Sequence, residues 1–252
     1  CEEVLRLAAR PGVGKNRAMD WTSGCVAVIP CLNEVGSIGA VVAGVRKHLP
    51  TVLVVDDGSV DGTEGVARAA GAEVIRHSRC QGKGAAIRSG CAWAEGRGAG
   101  WVMLLDGDGQ HDPADIPVFF ACAEQQGAQL VVGNRMGDAA AMPPVRRWVN
   151  RWMSARLSRW AGQTWPDTQC GFRLLQLETW RRLPIRATQF EIESEMLLAF
   201  AAAGARIAFA PVRVIYLGGR SKIHPWRDTV RWLRWWRTVK REGPFQAPNR
   251  RG

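Results

Sequence analysis

Val102-Met-Leu-Leu-Asp-Gly-Asp-Gly-Gln-His-Asp-Pro113 runs an apolar segment straight into closely spaced carboxylates. A buried strand of about five residues needs no acid at its end. Asp106 and Asp108 stand two apart, so in extended chain their side chains project from one face. Gly107 and Gly109 let the backbone turn around them. Two carboxylates held that close repel each other unless a cation neutralises them. Hard oxygen ligands of this kind suit Mg²⁺ or Mn²⁺, which can bridge the phosphates of a substrate. The alternative is a plain strand-to-helix turn in which Asp112 or Asp115 caps the next helix. That accounts for Asp112 and leaves Asp106 and Asp108 without a purpose.

The same pattern repeats along the chain. Apolar runs at 25–30, 51–56, 73–76, 101–105 and 129–133 read as strands, and the intervening stretches 35–48, 62–70, 83–95 and 113–126 as helices. Strands separated by helices mean βαβ units and a mainly parallel central sheet flanked by helices. Ligands of such sheets bind beyond the carboxyl ends of the strands, where residues 30–34, 56–63, 81–84 and 106–110 all fall. Helices at 144–161, 190–203 and 225–241, with strands near 172–177 and 206–215, follow. Residues 1–22 carry no sustained period and read as a flexible arm, residues 23–222 as the α/β domain, and 223–252 as an amphipathic basic helix and tail.

A chain of 252 residues can bury a full core. Its net charge of +11 calls for an anionic partner: nucleic acid, anionic lipid and nucleotide phosphates all qualify. No stretch of 18 uncharged apolar residues is present to cross a membrane, and no signal-peptide pattern opens the chain. The seven cysteines (1, 25, 31, 80, 91, 122, 170) form no CxxC pair and are odd in number, so they read as reduced thiols of a cytoplasmic protein. Cys1 in place of Met leads us to expect missing sequence upstream.

Three further loops bear on the cation. Val54-Val-Asp-Asp-Gly-Ser-Val-Asp-Gly-Thr63 ends a second apolar strand in two acids. Asp56 and Asp57 could accept hydrogen bonds from a nucleobase or ribose, while Asp61 reads as a helix N-cap; equally, all three acids could serve the turn. Ile29-Pro-Cys-Leu-Asn-Glu34 ends the first strand, and Asn33 or Glu34 either faces the same crevice or caps a helix. Gln81-Gly-Lys-Gly-Ala-Ala86 opens a helix whose N-terminus, helped by Lys83, could bind an anion.

Taken in order at successive strand ends, Pro-x-x-Asn-Glu, Asp-Asp-Gly-Ser-x-Asp-Gly-Thr, Gly-Lys-Gly and Asp-Gly-Asp-Gly-Gln resemble the family 2 glycosyltransferases of the Rossmann-like, nucleotide-binding GT-A fold. Within it, the dolichyl- and polyprenyl-phosphate mannosyl- and glucosyltransferase branch is most similar. The likeness continues through Gly133-Asn-Arg135, Asp167-Thr-Gln-Cys-Gly-Phe-Arg173, Phe190-Glu-Ile-Glu-Ser-Glu-Met196 and Gly218-Gly-Arg-Ser-Lys222. The resemblance implies a GDP- or UDP-hexose donor with Pro30, Asn33, Glu34, Asp56, Asp57 and Lys83 along it. It implies Mg²⁺ or Mn²⁺ on Asp106, Asp108 and Gln110. It puts Arg135 on the acceptor's phosphate, and makes Arg220 and Lys222 part of a lid over phosphates. His111 reads as a solvent-facing or capping residue. Members of the family often carry transmembrane helices after the catalytic domain, and this sequence has none, which opens the question of its acceptor.

A hydroxyl acceptor needs a general base, for which Glu191, Glu193 or Glu195 are candidates, whereas a phosphate monoester is already an anion at neutral pH. On a helix, Trp232, Leu233, Trp236 and Val239 gather on one side and Arg227, Arg231, Arg234 and Arg241 opposite, a pattern suited to an anionic membrane surface. Helix 144–161 is similar in make-up. The alternative is that both helices pack on the domain with Trp covered and Arg solvated. A peripheral protein on the cytoplasmic face, acting on a lipid phosphate, is therefore expected; a soluble glycosyltransferase with a hydroxyl acceptor is the runner-up. Nucleic acid is not expected as a partner, since no RNA- or DNA-binding motif accompanies the charge.

Overall fold

A computed structural model describes residues 20–137, 142–215 and 225–242. The proposed lid residues Arg220 and Lys222, most of the N-terminal arm and the C-terminal tail lie outside the described residues.

The long apolar runs become strands buried on both faces: β1 (Cys25–Cys31), β2 (Val52–Asp56) and β4 (Trp101–Leu104) are buried at every position. With β3 (Glu73–Arg76), β5 (Leu130–Asn134), β6 (Arg173–Gln176) and β7 (Ile207–Pro211) they form one sheet in the order β3-β2-β1-β4-β6-β5-β7. The pairs β1–β2, β1–β4, β2–β3 and β5–β7 are parallel, as the alternation with helices requires. β6 runs antiparallel to both β4 and β5, so the sheet is mixed. Helices α2 (Ile38–Val45), α3 (Thr63–Ala69), α4 (Lys83–Gly96) and α5 (Ile116–Gln126) link the parallel strands.

The short helix α1 (Trp21–Gly24) falls at the junction where a flexible arm is expected. Trp21 gives the reason for its order: the indole stacks on Phe120 at 4.5 Å and donates from Nε1 to Glu124 at 2.7 Å.

A further layer covers the β5–β7 side. α8 (Ile192–Ala202) is buried at every residue from Ile192 to Phe200, so it needs neighbours all round. α6 (Pro144–Ala161) and α9 (Pro225–Glu242) pack in this region, with the short α7 (Leu177–Trp180) following β6. Trp232 and Trp236 are 3% and 4% exposed, and Val239 is buried with them. Trp232 lies 5.7 Å from Trp152 and donates to Ser194 at 2.9 Å, while Trp236 meets Trp160 at 5.5 Å. The apolar stripe of α9, assigned to a bilayer on sequence grounds, therefore faces protein. Its indoles cover α8, and arginines occupy the outer side.

Candidate active site

The chain leaves β1 toward β2 and β3, then returns to lay β4 on the other side of β1. That reversal opens a crevice beyond the carboxyl ends of β1 and β4. The turn after β4 carries Asp106 and Asp108 into it, and the turn after β1 carries Asn33 and Glu34. Gly107 has no room for a side chain, because a Cβ there would stand 2.9 Å from that of Cys31. Its carbonyl accepts from the Ser37 hydroxyl at 2.7 Å, which ties the two turns together.

Lys83 Nζ lies 2.6 Å from Asp106 Oδ1 and 2.6 Å from Glu193 Oε1. Burial works against the Asp106 anion, but the Lys83 ammonium outweighs it and holds the carboxyl at about 2. Asp108 moves the other way: burial, then the charge on Asp106, push it up to about 6. Burial likewise opposes the Lys83 charge, and its two carboxylate partners more than restore it. Two acids driven apart in this way are what a hard divalent cation relieves. Among the described residues no three His, Cys, Asp or Glu side chains are grouped to hold a metal unaided. Such a two-carboxylate site suits Mg²⁺, which keeps water and substrate phosphate in its remaining positions. Gln110 Oε1 accepts from Arg146 at 3.4 Å, and the backbone N–H of Gln110 donates to Asp108 Oδ1 at 3.0 Å.

The nucleoside side of the crevice divides the expected residues. Asp56 is fully buried; Oδ1 accepts from Ser59 N at 2.7 Å, whereas Oδ2 has no hydrogen-bond partner and lies 3.8 Å from Arg76. An orphaned buried oxygen is costly unless a ligand's N–H or hydroxyl reaches it. Asp57, expected beside it as a ligand, is instead a brace. It accepts from His77 Nδ1 (2.7 Å), Gln81 N (2.9 Å) and Gly82 N (2.7 Å), with the Cys80 thiol at 3.1 Å. Burial pushes its pKa up, but these donors prevail and hold it below the usual carboxylate range. Asn33 also braces: its left-handed backbone (φ 53°) lets Oδ1 accept from Val60 N at 2.9 Å while its own N–H donates to Ser59. Glu34 N donates to Thr63, and Pro30 is buried within β1 opposite Val55. Asp61 accepts from Thr63 N as a capping residue would.

The N-terminus of α4 departs from the anion site expected of it. Gly84 N and Ala85 N donate to Thr188 O at 2.8 and 3.4 Å, and the amides of Gln81 and Gly82 go to Asp57. The segment before α8 lies directly across this turn: a Cβ on Gly84 would meet Ala187 O at 2.3 Å. Any phosphate contact here falls to the Lys83 side chain.

Arg135 is buried, with Nε and Nη2 closed on Asp167 at 2.7 and 2.9 Å. Its fork is thus engaged by protein where an acceptor phosphate is expected. It still lends positive potential to the crevice, helping to hold Asp106 ionised. His111 is buried against Phe172, not exposed to solvent, and its Nδ1 accepts from Asp106 N at 3.3 Å. Burial lowers it to about 4, so the ring is neutral at physiological pH.

Three residues of the site carry roles not assigned from sequence. Asp167 locks Arg135. Glu193 shares Lys83 with Asp106. Arg173, fully buried, donates to the carbonyls of Cys170, Glu193 and Thr168, pinning the 167–173 loop to the start of α8. Both ends of that loop lie in a motif already noted for its resemblance, which is the one signal that pointed to them.

The family described as Glycosyl transferase family 2 matches residues 26–181, more than half of the chain. The chain belongs to this family. The glycosyltransferase AglJ of Haloferax volcanii is 30% identical over 222 residues, covering 86% of this chain and 72% of that protein. The undecaprenyl-phosphate mannosyltransferase of Micrococcus luteus is 28% identical, covering 75% and 82%. Among solved structures, glucosyl-3-phosphoglycerate synthase from Mycobacterium tuberculosis, in complex with Mn²⁺, UDP and phosphoglyceric acid, superposes with a TM-score of 0.69 at 22% identity, covering 96% of this chain and 86% of that one. The glycosyltransferase thus has the GT-A arrangement. The family match takes in both carboxylate turns, Lys83, Arg135 and the Asp167 loop; Glu193 and α9 lie beyond it.

Proposed function

We propose that this glycosyltransferase is an inverting, cation-dependent enzyme that moves a hexose from a GDP- or UDP-hexose to a polyprenyl phosphate, working at the cytoplasmic face of a membrane. The observation that carries the reading is the Asp106–Asp108 pair at the sheet's switch point, where one acid is driven up by burial and by its neighbour. Bound there, Mg²⁺ or Mn²⁺ neutralises charge building on the departing nucleoside diphosphate. Asp106 and Asp108 would hold that cation, with Gln110 as a further candidate ligand. The Asp56 oxygen that lacks a hydrogen-bond partner accepts from the nucleoside beside Arg76, and Glu34 and Pro30 shape that side of the pocket. Lys83, which stands on Asp106 and Glu193, would supply a positive charge to the diphosphate.

A lipid-phosphate acceptor asks for no general base. A phosphate monoester has its second pKa at about 6 and reaches the anomeric carbon already anionic. Cations must then bring it in against a negative donor: Arg135 contributes its field, and Arg220 and Lys222 are assigned to closing over the phosphates. The Micrococcus luteus relative, named for an undecaprenyl-phosphate acceptor, supports this choice. A second reading has one observation in its favour. Glu193 is buried with Oε2 lacking a hydrogen-bond partner, a carboxylate that could serve a hydroxyl acceptor as base.

The test is a donor panel with polyprenyl phosphate, reading nucleoside diphosphate release with and without chelator. Release that requires both lipid phosphate and divalent cation is expected. Full turnover in chelator, or turnover with hydroxyl acceptors and none with lipid phosphate, overturns the reading.

A further inference from the structure

We propose that the exposed stripe of α6 through Val145, Trp148, Arg151 and Arg159 is the surface by which the enzyme docks on an anionic phospholipid bilayer. This deepens the membrane reading above and rests on it only for where the acceptor is found. Val145 and Trp148 are each 66% exposed, the most solvent-facing large apolar side chains of the helical layer. At about 100° per residue they share one stripe with Arg151 and Arg159, both exposed. α6 carries five arginines and no acid over its eighteen residues. α9, packed beside it through the Trp152–Trp232 and Trp160–Trp236 contacts, turns Arg234, Arg237 and Lys240 outward.

An exposed indole and a valine among cations, on a helix with no acidic residue, match the interfacial zone of a negatively charged bilayer: indole at headgroup level, guanidinium on phosphate. The stripe that docks is thus not the Trp232–Trp236 stripe, which is covered. Arg146, in the first turn of α6 and on the side of the helix away from Trp148, donates to Gln110 of the carboxylate loop, so the helix is tied to the catalytic crevice by the face that does not dock.

The test is co-sedimentation of the full chain with vesicles of phosphatidylglycerol and phosphatidylcholine, without acceptor, for the wild type, Val145→Ser/Trp148→Ala, Arg151→Gln/Arg159→Gln and, as a control on α5, Val118→Ser. We expect the apolar pair to weaken partitioning about tenfold and the arginine pair by at least as much, with Val118→Ser unchanged. Circular dichroism and melting temperature establish that each variant is folded. Turnover of a short, water-soluble prenyl phosphate free in solution should be the same in Val145→Ser/Trp148→Ala as in the wild type. A wild type that ignores the vesicles, variants that bind them undiminished, or salt-sensitive binding to polyuridylate in place of vesicles overturns the docking surface. Docking that needs Trp148 in a protein inert toward prenyl phosphates would sink the acceptor reading and leave the surface standing.

Discussion

Lys83→Met takes an ammonium from between two carboxylates and keeps an unbranched side chain of similar length. Nζ stands 2.6 Å from both Asp106 and Glu193, with side-chain exposures of 14% for Lys83, 28% for Asp106 and 7% for Glu193. Removing one partner of a buried ion pair costs about 3–5 kcal/mol, because the charge left behind stays desolvated. Water reaches part of Asp106, so the lower end, about 3 kcal/mol, applies. For a chain of this size that lowers Tm by about 6–12 °C. Mn²⁺ adds a second effect: seated on Asp106 and Asp108, it restores positive charge where the ammonium was lost. The rise in Tm on adding Mn²⁺ is therefore larger in Lys83→Met than in the wild type. Scanning calorimetry at neutral pH, with and without Mn²⁺, reads both quantities. A variant that melts with the wild type in metal-free buffer, or gains no more from Mn²⁺, refutes the assignment of Lys83 to the cation's seat.

Other expectations follow from single side chains. Asp108→Ala abolishes turnover at every Mg²⁺ or Mn²⁺ concentration, measured as nucleoside diphosphate release; undiminished turnover removes Asp108 from the site. Asp57→Asn costs about 1–3 kcal/mol in urea unfolding, because amides of Gln81 and Gly82 lose a charged acceptor. The folded pKa of Asp57 is depressed, so this stability is complete above its unfolded pKa of about 3.9 and disappears as pH falls through the folded value. The gap between variant and wild type therefore closes below about pH 4, as Asp57 is protonated; a gap still widening there contradicts the bracing role. Arg173→Met leaves three buried carbonyls without their donor and costs about 3 kcal/mol or more by the same assay, and a loss under about 1 kcal/mol would show that the loop is held by other contacts.

The strands and helices of the first half were legible because each apolar run is bounded by Gly, Asp or Pro, and because doubly buried parallel strands read as unbroken hydrophobic stretches. β6 shows the limit. Arg173–Gln176 looks like any short strand, and its antiparallel place between β4 and β5 depends on partners far away in the chain. The Trp stripe of α9 was correctly grouped and assigned to the wrong neighbour, since a helical period marks an apolar face without saying whether lipid or protein covers it. Among the acids, Asp106 and Asp108 stood out because no local need explains them. Asp56 and Asp57 look alike in sequence, yet one keeps an open oxygen and the other is used up by amides more than twenty residues away. The Arg135–Asp167 and Lys83–Glu193 pairs were hidden for the same reason: nothing local records a partner that only the fold brings near.

The central claim is that Asp106 and Asp108 seat the divalent cation that carries the donor's diphosphate. Anomalous diffraction at the manganese edge, from crystals grown with Mn²⁺ and a UDP- or GDP-hexose, tests it directly. A single strong peak bonded to both carboxylates and to diphosphate oxygens, with Lys83 Nζ displaced from Asp106, is the predicted result. Donor bound with manganese elsewhere, or with Lys83 still closed on Asp106 and no peak beside Asp108, would contradict it.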